Sequence, residues 1–126
     1  MEIRTGYFAK LKKYTELGYV PIGIVRFKPK WYSYKNKVTF APSIQLLSSF
    51  KDGNITSEEF SNLYIEETKN NNGVLKFKEM VRLYKTLGVE KIILLCFEKS
   101  EDTCHRHVLA EYLNKELNLN ISELIV

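Results

Sequence analysis

The chain has 126 residues, 44% of them hydrophobic, enough for one domain with a continuous core and too few for two. Its apolar runs stop short of the roughly 20 residues that a membrane-spanning helix needs, and Met1 to Gly6 offer no signal-peptide core, so a cytoplasmic protein without a membrane partner is expected. Net charge is +4 but unevenly spread: residues 17–51 hold no Asp or Glu and six cations, Arg26, Lys28, Lys30, Lys35, Lys37 and Lys51, so one side should attract anions.

Ile3, Thr5 and Tyr7 alternate around a short first strand. Phe8, Leu11 and Tyr14 then recur at helical spacing up to Gly18, a good helix terminator. Tyr19 to Val25 is β-branched and apolar and predicts a second strand, after which periodicity disappears from Arg26 to Pro42, the signature of a long loop. Pro42-Ser43 opens a helix to about Phe50. Thr56-Ser-Glu-Glu59 reads as a capping box for the helix carrying Phe60, Leu63, Tyr64 and Thr68, which Asn70 to Gly73 breaks. A further amphipathic helix spans about Leu75 to Leu87, followed by a strand from Lys91 to Phe97, a helix from about Cys104 to Leu117 and a last strand within Ile121 to Val126. The alternation predicts a single α/β domain with a mostly parallel sheet of about four strands, flanked by helices on both faces.

The segment from Ile92 to Leu113 carries the clearest chemistry, because an apolar strand empties through a polar loop into a helix that opens Cys104-His-Arg-His107. Such junctions lie at the carboxyl edge of the sheet, where the helix's free N–H groups face a ligand. With Leu109 at the centre of the buried helix face, steps of about 100° per residue place His105 and Arg106 on that face, and Cys104 and His107 opposite. Thr103 or Asp102 is positioned to cap the helix, Arg106 offers a forked donor to a phosphate or carboxylate, and Glu98 is placed for acid–base work. The competing readings are structural: Arg106 pairs with Glu98 or Glu101 to lock the loop, and Cys96 is a small core residue. A first-turn Cys104 beside basic residues should be the more reactive thiol. A lone cysteine pair in a chain with an adequate core is expected to stay reduced, and C-x7-C-H-x-H lacks the paired spacing of zinc sites, so neither metal nor cofactor is expected.

From Val25 to Lys37, cations interleave with Phe27, Trp31, Tyr32 and Tyr34, as a surface that follows phosphates and stacks on bases requires. Lys28, Trp31 and Tyr32 are the binding candidates here, and Arg26, directly after the second strand, is placed to meet Arg106 on one anion. Equally open is a loop whose aromatics pack inward while its lysines stay solvated.

These residues resemble the domain of unknown function 488 family, whose hallmark is an apolar strand ending in Cys-x-Glu, a short loop, and Cys-His-Arg opening a helix, here Cys96, Glu98, Cys104, His105 and Arg106. An arginine followed three residues later by proline, Arg26 and Pro29, is a second point of similarity, and Ile3 to Ala9 and Pro29-Lys-Trp-Tyr32 resemble its short members. Many members carry Asp two residues before that arginine, where this chain has Ile24. The resemblance implies a compact α/β fold with a shared site and no established reaction. The expectation is a domain that binds or acts on a nucleotide or nucleic acid through Arg26, His105, Arg106 and the last helix's amino terminus, with Glu98, Cys104, His105 and Arg106 as catalytic candidates and Arg26, Lys28, Trp31, Tyr32 and Thr103 as ligand contacts. The alternatives are a non-catalytic nucleic-acid-binding module built on residues 26–37 and a protein-interaction domain whose ion pairs are structural.

Overall fold

A computed structural model describes residues 1–98 and 104–126. Among them, five strands form one sheet: β1 (Glu2–Tyr7), β2 (Val20–Gly23), β3 (Lys35–Asn36), β4 (Lys91–Cys96) and β5 (Ser122–Glu123), in the order β3-β2-β4-β1-β5. Every pairing is parallel. The sheet therefore has one carboxyl edge, where Tyr7, Gly23, Asn36 and Cys96 all end, with Tyr7 beside Cys96 in register.

Among the described residues five α-helices cover it: α1 (Leu11–Glu16), α2 (Ile44–Lys51), α3 (Ser57–Asn70), α4 (Gly73–Thr86) and α5 (His105–Leu117). Parallel crossovers are right-handed, and this fixes the layers. The step from β1 to β2 goes toward one edge of the sheet and the step from β4 to β5 toward the other, so α1 and α5 must lie on opposite faces. They do. Ile92 and Leu94 of β4 pack with Leu46, Tyr64, Phe77 and Leu109 from α2 to α5, whereas Ile93 and Leu95 pack with Phe8, Tyr14 and Tyr32 on the other side. Adjacent strands whose chains leave toward opposite faces open a crevice between their carboxyl ends, and here those strands are β1 and β4.

The expected capping box is present, with Thr56 accepting from the Glu59 backbone N–H and Glu59 accepting in return. Ser43 caps α2 one-way, its side-chain oxygen accepting from Leu46 N–H. Several boundaries differ from the sequence reading, the second strand's among them, which runs Val20–Gly23 instead of Tyr19 to Val25. The first helix begins as a 3₁₀ turn, Phe8–Lys10, and the last strand shrinks to two residues. The fifth strand, β3, lies inside the stretch expected to be loop, and a side chain holds it there: Asn36 accepts from Val25 N–H through Oδ1 and donates to Val25 C=O through Nδ2. Gly23 permits that approach, since a Cβ there would lie 2.5 Å from Asn36 Oδ1. None of the described helices is long and apolar enough to cross a membrane.

Candidate functional site

Four of the sequence-derived candidates meet at the end of β4: Glu98, Cys104, His105 and Arg106, joined by Cys96. Residues 99–103 fall outside the described part, and with them the expected roles of Thr103, Asp102 and Glu101. The helix starts at His105, so Cys104 is its N-cap residue in extended backbone (φ −146°, ψ 147°). Helical projection does not apply to such a residue, which explains why Cys104 is buried and not on the solvent side opposite Leu109. His105 and Arg106 are buried, as their helical positions require.

Arg106 is fully buried and donates four hydrogen bonds to protein partners. Its Nε and Nη2 donate to the two carboxylate oxygens of Glu123, both at 3.0 Å, while Nη1 donates to Glu98 C=O at 2.8 Å and to Cys96 Sγ at 3.0 Å. The guanidinium also stands 5.9 Å from the centre of the Tyr7 ring. The structural ion pair is therefore real, but among the described residues its partner is Glu123 in β5 rather than Glu98. Thr5 donates to the same carboxylate, at 2.7 Å, so β1, β5 and α5 are locked through one carboxyl group. Arg26 is engaged elsewhere: its Nε and Nη2 both donate to Pro42 C=O, and among the described residues it shares no hydrogen-bond partner with Arg106.

His105 places Nε2 2.5 Å from Ile24 C=O. A carbonyl only accepts, so Nε2 carries the hydrogen and Nδ1 presents its lone pair, 3.9 Å from Cys104 Sγ. Burial, with the Arg106 charge acting in the same direction, pushes the imidazole down to about 4, so the ring is neutral at ordinary pH. The Tyr64 ring packs edge-on against it at 5.5 Å, held by a hydrogen bond from its hydroxyl to Phe40 C=O. Both cysteines are buried and their sulfurs are bonded in this structure, contrary to the expectation of two free thiols. The end of β4 and the N-cap of α5 converge more closely than sequence spacing reveals. Glu98 Oε2 lies 2.9 Å from Cys104 Sγ, whereas the guanidinium contacts Cys96. Bonded to each other, neither sulfur is a free nucleophile in this structure, and the contacts with Glu98 and Arg106 fall one on each of them.

The basic aromatic loop divides in two. Tyr32 is buried, donating to Lys35 C=O at 2.6 Å and accepting from Gly23 N–H, and burial raises its hydroxyl to about 12. Tyr32 is thus an anchor and not a stacking platform, and Lys28 turns back to donate to its C=O at 2.9 Å. Trp31 is 62% and Tyr34 47% exposed. Together with Phe8, Leu11, Lys12 and Thr15 they line an open groove of about 400 Å³. Buried Phe8 meets exposed Trp31 (6.3 Å between ring centres) and exposed Phe97 (5.1 Å), so a run of ring contacts links the groove to the residue preceding Glu98. The sequence reading missed Phe8 and Lys12 as groove residues and Glu123 as the arginine's partner, and placed Tyr34 among the loop's stacking aromatics without making it a ligand contact.

No curated protein and no solved structure matches the chain. A family model described as the active DUF488-N3 subclade, DUF488-N3a, matches residues 8–117, a span that contains Arg26, the whole aromatic loop and the Cys96 to Arg106 junction. With most of its length matched, the chain belongs to the DUF488 family.

Proposed function

We propose that this protein binds a nucleotide or single-stranded nucleic acid on the face formed by the basic loop and α1, and acts on it at the Glu98, Cys104, His105 and Arg106 junction. The observation that carries the reading is the run of ring contacts from exposed Trp31 through buried Phe8 to exposed Phe97, which links a stacking residue to the end of β4. Exposed aromatic faces stack on bases regardless of sequence, and Lys12, Lys30, Lys35 and Lys37 surround them with charge suited to phosphates. Arg106 acts in this reading as a positioning residue, since its donors are used internally. The description of the matching subclade as active favours catalysis over mere binding.

A second reading, a non-catalytic binding module, is favoured by the burial of His105 and Arg106. Fluorescence anisotropy with labelled single-stranded oligonucleotides tests the shared part. Binding should be salt-sensitive, and Trp31→Ala should weaken it by about 1 to 3 kcal/mol, the worth of one stacked base. Absence of binding at low salt would defeat both readings. Turnover of oligonucleotide or free nucleotide that survives replacement of the loop lysines separates enzyme from module.

A further inference from the structure

We propose that Cys96, Cys104 and His105 form a three-ligand site for a soft divalent cation, zinc by preference, with the fourth position open beside Glu98. One ligand atom from each of these buried residues lies within 4.8 Å of the other two, the one such grouping among the described residues. The histidine is already set for the task. Because Nε2 donates to Ile24 C=O, the lone pair belongs to Nδ1, the nitrogen facing the sulfurs, and a backbone carbonyl on the far nitrogen is the usual way metal-binding imidazoles are oriented.

The backbone favours a shared cation over a direct sulfur–sulfur bond. The two cysteine Cα atoms stand 7.4 Å apart, wider than the roughly 4.4 to 6.8 Å usual for disulfides. Sulfurs about 2.3 Å from a tetrahedral zinc are themselves about 3.8 Å apart, which a wider pair of Cα atoms accommodates. Charge balances as well: two thiolates and a neutral imidazole neutralise a divalent cation, while Arg106, donating to Cys96 Sγ, is balanced by Glu123. Two thiolates and an imidazole form a donor set that suits zinc, and three protein ligands with one open position mark catalytic rather than structural zinc. Exposed Glu98, outside the trio but 2.9 Å from Cys104 Sγ, borders that position and is placed to take a proton from a bound water. The ligands come from a strand end, an N-cap and a first helical residue, so they converge without the paired spacing of zinc fingers, and His107 is not needed.

From the bonded state, loading requires reduction. A dithiol reductant supplies two electrons and two protons, breaks the S–S bond and leaves as its own cyclic disulfide; the two thiols then release their protons to solvent as the cation binds. The full chain, reduced and freed of metal, is titrated with cobalt(II). The expected result is a single tightly held ion per chain, with thiolate-to-cobalt charge transfer and tetrahedral d–d bands, displaced by zinc. Cys96→Ser, Cys104→Ser and His105→Ala should each lose the tetrahedral spectrum, whereas Glu98→Gln and His107→Ala should keep it.

Because the cysteine variants risk misfolding, a second measurement uses the unaltered chain: zinc should protect both cysteines from iodoacetamide, read by mass spectrometry, and chelation should remove the protection. Absence of thiolate–cobalt charge transfer, unchanged alkylation with zinc, or loss of the tetrahedral spectrum in Glu98→Gln would overturn the three-ligand site. The result does not depend on the aromatic face, since a chain that loads cobalt but ignores oligonucleotides contradicts only the proposed function.

Discussion

The junction after β4 and the loop after β2 share the carboxyl edge of the sheet, but they handle charge in opposite ways. At the junction, Arg106 is sunk beneath the surface and met by a bidentate carboxylate, a carbonyl and a sulfur. In the loop, lysines stay at the surface among half-exposed aromatics, and the buried portion is neutral, anchored by Tyr32 and Asn36. A charge inside low-dielectric surroundings must be matched donor by donor, whereas a charge in water need not be. The junction's residues should therefore register mainly in stability and the loop tip's mainly in binding.

The sharpest way to break this contrast is to remove one half of the buried pair. Arg106→Ala leaves Glu123 without its bidentate partner and should cost about 3 to 5 kcal/mol in urea unfolding. Replacing both residues by leucine should recover much of that loss, because burial of two matched apolar chains often equals a buried ion pair. A single-variant cost under about 1 kcal/mol would mean that the junction is no better buried than a surface pair.

Asn36→Ala probes the point where the regions come closest in character, since the loop's inner half is also buried. It removes two hydrogen bonds with Val25, at 3.2 and 2.9 Å, and should destabilise by about 1 to 3 kcal/mol through the backbone groups left unpaired. Oligonucleotide binding should fall with it, because Trp31 and Tyr34 lie in the loop that this side chain secures. Unchanged stability would show that β3 is held by other contacts.

What could be read from the sequence follows the same division between local and distant causes. The capping box at Thr56, the burial of His105 and Arg106 and the alternation of strands and helices depend on neighbours in the chain, and each is found where the residues indicate. The Arg106 to Glu123 pair spans 17 residues and exists because β5 lies next to β1, an outcome of sheet order that no local pattern carries. The convergence of Cys96 and Cys104 was hidden for a related reason, since treating Cys104 as helical turned it away from the sheet. Tyr32 and Tyr34 have similar sequence surroundings, and what distinguishes the buried one is its pair of hydrogen bonds with Gly23 and Lys35, made only once β2 and β3 lie side by side.

Trp31→Ala should leave stability within about 0.5 kcal/mol, as expected for an exposed residue away from caps and buried networks. Set against its larger effect on binding, this is the clearest statement of the loop tip's role. A destabilisation comparable to that of Asn36→Ala would instead make Trp31 a packing residue for Phe8, which it meets edge-on.

The smallest effect is expected from the lysines, and it appears in a slope instead of a free energy of unfolding. Lys30, Lys35 and Lys37 act in the proposed reading only through phosphate charge, so replacing all three by serine should leave the unfolding midpoint nearly unchanged. Each phosphate contact to a single strand contributes about 0.7 to the slope of log K against log salt, so the triple variant should flatten that slope by about 2. Lys28 is left in place because its ammonium serves the loop's own fold through Tyr32 C=O. If the slope is unchanged while affinity drops, the lysines are supporting the loop and the phosphates lie elsewhere on the molecule. A flattened slope with Trp31 intact would separate the electrostatic from the stacking share of binding and place both on the same face.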